Sequence, residues 1–499
     1  MTITEQNVKK EGLLLFGDVV LKWILFSLGV YVLIRPILIT AIVADDFIGP
    51  FSQFHQAGSG LISNLRFGYN AASYGHFNYV GQVVGSLANW TWIQLQGQFG
   101  IRYSVIYAVS KFLTILFAIS QAARLARRIL TTDGSDGAVW KLRIAIALAL
   151  AATIQLHIVW SNDPVGSYPL SGYLSAAIGI VALNAAISFF TKYTVKNFIF
   201  LTVLTTAAIL YYEMNISLLA AIGVLALVYV FRNGSTQGSL IKRLAISSSA
   251  LVFPTAATLY FQFHNSAKSA SYTGTAVAIN GKSFQVFGNS LVSSLPFSSW
   301  HLAFDWLPDG VTFRIAIFVL PLLGASLFTV IVYRLKTQSN EFSNYFSLIA
   351  PLLTYWIFAT LIQCATVKVQ NEATRIGSVY NFYAVGSLVI AVIIGCMGIV
   401  FFEQFSNKVV RSFASLLIVI ACIGQFSINN SLAVRHAGFL TYNRNLLVQF
   451  TEKSTQDARC AALQEWLTMG WPGYYLNEMT VGVEAAYKHF NNETFCGKL

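Results

Sequence analysis

Residues 13–46 read LLLFGDVVLKWILFSLGVYVLIRPILITAIVADD, a long apolar run that stops on two adjacent carboxylates, Asp45 and Asp46. About 20 apolar residues suffice to cross a bilayer. The run far exceeds the roughly 7–15 apolar residues of a secretory signal, and Ala41 and Ala44 do not make an A-x-A cleavage site. With Lys9, Lys10 and Lys22 at its start, the segment reads as a retained signal anchor. It delivers Asp45-Asp46 to the far face of the membrane.

The rest of the chain agrees with this opening. Of 499 residues, 56% are hydrophobic and only 10% charged, with a mean hydropathy of +0.61. Those values lie outside the soluble globular class and inside the membrane class. The formal charge of +12 is spread in small groups between apolar runs, so nucleic acid is not expected as a partner and membrane lipids are. Apolar stretches predict an all-α polytopic protein of about eleven spans, at 20–44, 103–123, 143–160, 172–190, 198–212, 214–231, 244–263, 313–333, 344–364, 383–402 and 412–428.

Every second loop is basic: Arg124, Arg127, Arg128, Lys141 and Arg143; Lys192 and Lys196; Arg232, Lys242 and Arg243; Arg334 and Lys336; Lys408 and Arg411. By the positive-inside rule the N-terminus is then cytoplasmic and the tail extracytoplasmic, in a multi-pass plasma-membrane protein. The opposite loops are aromatic and polar. The first, 45–102, suits short interfacial helices, and another runs over 264–310. The expected division is a membrane domain, 1–428, and a small external domain, 429–499. In that external tail Cys460 and Cys496 are a candidate disulfide, as an oxidising compartment favours. Cys364, Cys396 and Cys422 lie in apolar runs as packing residues.

The acidic residues outside the tail and the cytoplasmic loops all map to the outer face: Asp45, Asp46, Asp163, Glu213, Asp305, Asp309 and Glu372. A carboxylate near hydrocarbon depth is costly, which makes each a functional candidate. The plainer reading is a solvated helix end. It weighs most for Asp163, which precedes Pro164, less for Glu213 in its short link, and least for the paired aspartates. Two adjacent like charges raise one pKa, which suits a proton acceptor. His55, Arg66, His76, His264, Lys268, Lys282, His301, Arg314, Lys368 and Arg375 fall on the same side. Arg375 and Lys268 are the preferred phosphate ligands, although each basic residue alone reads more readily as a headgroup or structural contact. P-loop, H-E-x-x-H, C-x-x-C and serine-elbow motifs are absent from the sequence, so it supplies no support for a nucleotide-driven engine or zinc protease.

Asp45-Asp46-Phe47 after the first span, the aromatic first loop with Tyr74-Gly-His-Phe-Asn-Tyr79, about eleven spans and an external tail together resemble the GT-C class of integral-membrane glycosyltransferases. The likeness covers the whole chain in layout and is nearest to bacterial GtrII-like glucosyltransferases or arabinofuranosyltransferases. It implies an inverting enzyme that moves a hexosyl or pentosyl unit from a polyprenyl-phosphate donor to an acceptor hydroxyl on an extracytoplasmic or lipid-linked glycan. It implies a catalytic base at Asp46 or Asp45, with Asp46 narrowly favoured. Substrate contacts are then expected from Glu213, Asp163, His76, Lys268, His264, Arg375 and His301. A divalent cation, Mg or Mn, is left open, with Asp46 and Asp163 as its ligands if one is used. Two rivals stand beside this reading: a lipid-linked glycan polymerase or ligase, and a transporter or flippase, which predicts polar or broken helices at the midplane.

Overall fold

A computed structural model describes residues 3–72, 78–130, 136–157, 163–232, 237–266, 276–302, 304, 309–315, 339–404, 407–452, 454–469 and 475–497. These residues are helical apart from turns, connecting segments and one isolated antiparallel bridge, Val277 to Thr366. Eight helices among them are long and apolar enough to cross a membrane: Gly17–Leu38, Tyr103–Leu130, Leu170–Thr191, Glu213–Arg232, Lys242–His264, Ser343–Cys364, Phe382–Glu403 and Lys408–Phe439. The chain is thus an all-helical, polytopic membrane protein. Val195–Tyr211 is shorter, and most of the expected span 313–333 lies outside the described residues.

Exposure follows from the membrane setting. Leu21, Ile24, Leu25, Leu28 and Val32 on the first span, and Phe413, Leu416, Leu417, Ile420 and Ile423 on the last, are exposed. Large apolar stripes of this kind suit lipid and not water. Leu170–Thr191 lies at the centre, where Ala176, Ala177, Ile180, Ala182 and Leu183 are buried. Small residues let such helices approach closely: a Cβ at Gly179 would stand 2.2 Å from the Tyr355 hydroxyl.

The first span, α1 (Ile3–Leu38), ends two residues after Pro36, whose missing N–H weakens the last turn. Residues 39–43 are non-helical, and a second helix, α2 (Ala44–Ala57), opens with Asp45 and Asp46 in its first turn. This corrects the expectation that the first span reaches residue 44 and ends on the pair. The aspartates belong to a separate helix, whose N-terminal dipole favours them. Helices α3 (Leu61–Ala71) and α4 (Tyr79–Phe99) complete the segment between the first two spans. Gln53 ties the three together, donating to Asn64 Oδ1 (2.6 Å) and the Ser86 carbonyl (2.8 Å) and accepting from Asn89 (3.2 Å).

The division at 428/429 also needs correction, because it falls inside the continuous helix Lys408–Phe439. The tail helices Thr441–Thr451, Gln456–Met469 and Tyr475–Asn491 do not form a core of their own. Leu446, Leu463, Trp466, Met479 and Val483 share one hydrophobic cluster with Phe47, Ile48, Phe51 and Phe54 of α2. The amphipathic α2 needs its apolar face covered, and the tail covers it. Trp466 stacks on Phe47 at 5.9 Å, and Ser52 donates to Glu478 at 2.9 Å. Cys460 and Cys496 are joined by a disulfide.

A Cβ at Gly482 would stand 2.6 Å from the Phe51 carbonyl oxygen. Gly482→Ala is therefore expected to destabilise the protein by about 1–3 kcal/mol through overpacking, visible as a lower melting temperature in detergent. An unchanged melting temperature would mean that the tail does not seat on α2.

Candidate functional site

Three segments meet at Asp46: the 39–46 corner, the N-terminal half of α5 (Tyr103–Leu130) and the loop 163–169. Through Tyr168, Tyr212 and Tyr380 the segments 211–217 and 365–381 lie beside them. The Asp46 Oδ2 oxygen accepts from the Tyr107 hydroxyl and from the Tyr168 backbone N–H (2.6 Å), while the Tyr103 hydroxyl donates to the Asp46 carbonyl (2.7 Å). Its Oδ1 oxygen accepts no hydrogen bond from the described residues. Burial pushes the carboxyl up from an ordinary 3.8 to about 6; Asp45 adds to the rise, and the Tyr107 and Tyr168 bonds and the Lys111 charge oppose it. Asp45 is exposed and lies 3.5 Å from the Tyr168 hydroxyl. The two neighbours thus have different surroundings: Asp46 is held by Tyr107 and Tyr168 and is partly exposed, whereas Asp45 is exposed.

Tyr168 adopts φ +51°, in the left-handed region. For a bulky L-residue this conformation costs about 1–2 kcal/mol. It turns the Tyr168 N–H toward Asp46. Its phenol is raised above the ordinary range by burial first, then by Asp45 and Asp46.

Beneath the carboxylate lies Lys111, which is buried. Its ammonium donates to Thr40 Oγ1, to the Gly166 carbonyl (2.5 Å) and to the Ile37 carbonyl (3.4 Å), and stands 4.6 Å from the Tyr107 ring centre. One cation therefore joins the end of the first span, α5 and the 163–169 loop. It also lies in the field of Asp46 and Asp163. A sequence signal for it exists: Tyr107 and Lys111 are four residues apart on one helix face, and a lone lysine inside an apolar span is costly enough to need a reason.

Asp163 proves to be a scaffold residue. It is fully buried; Oδ2 accepts from the His157 N–H (2.7 Å) and Oδ1 from the Val165 N–H (2.9 Å). Helix α6 (Asp136–Thr153) stops short of the expected residue 160, and 154–157 is non-helical at depth. Unpaired backbone polar groups are not tolerated there, and side chains supply the partners: Tyr383 for the Gln155 N–H (2.9 Å), Asn429 for the Leu156 N–H (2.9 Å), and Asp163 for His157. With both Asp163 oxygens so engaged and Lys111 in the field of both carboxylates, this pair does not fit a divalent cation. No group of three or more His, Cys, Asp or Glu among the described residues could hold a metal ion.

Glu213 sits in the short turn Glu213–Ser217. Tyr380 gathers the remaining acids: its phenol is pushed up by burial first, then by Glu372, Glu213 and Asp45. Asn381 donates to the Tyr212 hydroxyl at 2.5 Å, and the Lys368 ammonium lies 5.8 Å from the Tyr380 ring centre. Asp45, Asp46, Glu213 and Glu372 thus line one aromatic and amide-rich region.

The other expected residues are placed apart from Asp46 or beyond view. His264 is exposed at the end of the helix Gln237–Ser266, stacked 5.6 Å from Tyr260. His301 lies in the turn Trp300–Leu302 near Gly377. Arg375 is exposed, on the 365–381 segment that carries Lys368 and Tyr380. His76, Lys268 and Asp305 lie outside the described residues. The chain matches no protein-family model, no curated protein and no solved structure.

Proposed function

We propose that this protein is an inverting glycosyltransferase of the outer membrane face, which moves a sugar from a polyprenyl-phosphate donor to an acceptor hydroxyl of an extracytoplasmic or lipid-linked glycan. The observation that carries the reading is the state of Asp46: one oxygen held by Tyr107 and Tyr168, the other accepting nothing from the described residues, and a pKa of about 6. That is the condition of a general base near neutrality. Asp46 Oδ1 takes the proton of the acceptor hydroxyl as its oxygen attacks the anomeric carbon. The bond to the donor phosphate breaks in the same step, so configuration inverts.

Asp45, Glu213, Asn381 and the tyrosines hold sugar hydroxyls. Lys368 and Arg375, on one segment beside Tyr380, take the charge that develops on the leaving phosphate. The GT-C resemblance accords with this reading, as do the eight helices among the described residues that are long and apolar enough to cross a membrane; the N-terminus is then cytoplasmic and the tail extracytoplasmic, as the basic loops predict. A polyprenyl donor also suits the setting, since its tail stays in lipid while its phosphosugar meets the acceptor at the surface.

The test supplies membranes containing the protein with labelled polyprenyl-phosphate hexoses and pentoses in turn. One donor is expected to yield a product of inverted anomeric configuration. Absence of transfer from every monosaccharide donor, with transfer from a lipid-linked oligosaccharide, would replace this reading by polymerase or ligase action.

Tyr107→Phe removes a hydrogen bond that stabilises ionised Asp46. Such a bond is worth roughly 1.5 kcal/mol, or about one pH unit. The acid limb of the activity profile is expected to move up in pH by about that amount, with the plateau rate above it largely kept. An unmoved acid limb would sever Tyr107 from the base.

A further inference from the structure

The corner that carries Asp46 is gripped by two parts of the chain, and one of them is the tail. Residues 39–43 leave the helix while Thr40, Ile42 and Val43 stay buried, and buried backbone groups need partners. From α5, Lys111 donates to the Ile37 and Gly166 carbonyls, and Thr40 Oγ1 donates to the same two at 3.1 Å each. From the tail, the Asn443 side-chain amide donates to the Ile42 carbonyl at 2.9 Å and accepts from the Trp466 indole N–H at 2.8 Å. A carbonyl at one end and an N–H at the other admit one orientation of that amide. Asn443 and Trp466 are themselves buried.

Trp466 reaches the corner a second time, because its ring stacks on Phe47 with centres 5.9 Å apart and planes at 18°. The tail therefore holds the chain four residues before Asp46 and one residue after it. Helix α2 has need of such a hold. Its N-cap is Val43, which has no side-chain oxygen for the first-turn N–H groups, and the bonds from Tyr107 and Tyr168 reach Asp46 while that turn stays in place. Asn443 belongs to Thr441–Thr451 and Trp466 to Gln456–Met469, so two tail helices must pack together before the amide meets Ile42. The tail is closed on itself by the disulfide Cys460–Cys496, by Arg459 on the Ser454, Thr494 and Phe495 carbonyls, and by Glu484 on the N–H groups of residues 495–497.

We propose that Asn443 and Trp466 are positioning residues for Asp46, so that sugar transfer reaches its full rate when the folded tail is seated on the corner. This rests on Asp46 being the base. Both side chains act through the 42–47 backbone and are buried away from substrate, so their loss is read in kcat and not in the KM for the donor.

Three variants are compared in membranes supplied with the productive donor: Asn443→Leu, Trp466→Phe, and Cys460→Ser combined with Cys496→Ser. Asn443→Leu fills similar space but neither donates nor accepts. Its kcat is expected to fall about tenfold, short of the ~10²-fold that a 1 Å misplacement can cost, with the donor KM kept within about twofold. In the purified full-length protein, hydrogen exchange across 39–50 is expected to quicken about fivefold, as loss of one net hydrogen bond implies. Trp466→Phe keeps a ring against Phe47 but drops the N–H, and is expected to move both readings the same way by less. The cysteine variant opens a loop of the tail and lowers the melting temperature without altering a group on 42–47, so its kcat is expected to fall less than that of Asn443→Leu. Losses of kcat that simply follow the losses in melting temperature across the three would make the role one of stability alone and overturn the proposal. Should Asn443→Leu fail to fold, Trp466→Phe against the cysteine variant decides. Unchanged exchange across 39–50 in the folded Asn443 or Trp466 variant also overturns it. Absence of transfer by wild type from every donor would instead sink the reading of Asp46 as a base, and the exchange result would still report whether the tail holds the corner.

Discussion

Asp46→Asn is expected to lower sugar transfer by about 10²–10⁴-fold, the range that a positioned general base contributes, while Asp45→Asn retains most of the rate. Asparagine keeps the size of the side chain and an acceptor oxygen for Tyr107 and the Tyr168 N–H, but it cannot accept a proton at neutral pH. The comparison is made in membranes supplied with the labelled donor identified as productive. Wild-type transfer by Asp46→Asn would remove Asp46 from the mechanism, and loss confined to Asp45→Asn would exchange the two roles.

The pH profile carries the same assignment. Because the base must be ionised, wild-type activity is expected to fall as pH drops through about 6. Stability runs the other way. With a folded pKa of about 6 against an ordinary 3.8, the native state binds more protons than the unfolded one between those values, so the contribution of this group to stability declines as pH rises across that window. It is fully present below the unfolded value and lost above about pH 6. Asp46→Asn escapes that loss, and its melting temperature at pH 7 is expected to equal or exceed that of wild type. An inactive but no less stable variant is what a functional residue held at a cost to the fold produces. A melting temperature well below wild type would make Asp46 a structural residue instead.

Lys111→Met is expected to destabilise the protein by about 2–4 kcal/mol, as breaking a buried charged network does, and to weaken transfer with it. Methionine fills similar space but donates nothing to Thr40, Gly166 and Ile37. The 163–169 loop then loses its tie to the first span, and with it the fixed position of the Tyr168 N–H on Asp46. Loss of the cation also raises the Asp46 pKa, so the residual activity is expected to fall off at a higher pH than in wild type. Lys111→Arg, which keeps a charge, tests whether charge or shape matters more. Wild-type melting and an unmoved pH profile in Lys111→Met would show that Lys111 neither pins the loop nor acts on Asp46.

Hydropathy is a property of short stretches of chain, so the sequence by itself determined the membrane class, the approximate places of most spans and the unusual position of Asp45-Asp46 after the first of them. The opposed environments of the two aspartates were legible only as an expectation that adjacent side chains diverge. Which of them is held required Tyr107 and Tyr168, 61 and 122 residues away from Asp46. The resemblance implies a substrate or metal contact at Asp163, although a plain helix end weighs most there. Folding instead spends its carboxylate on the backbone of a broken helix, a partner invisible until 154–157 is seen to leave the helix. The tail likewise looked separate because its hydropathy drops after residue 428, whereas its apolar residues pack onto α2, some 400 residues earlier in the chain, with Trp466 stacked on Phe47. Burial of a helix in lipid is decided locally by its own composition. Convergence of Lys111, Asp46 and Tyr168 is decided by contacts between distant segments, and only the tertiary structure contains those.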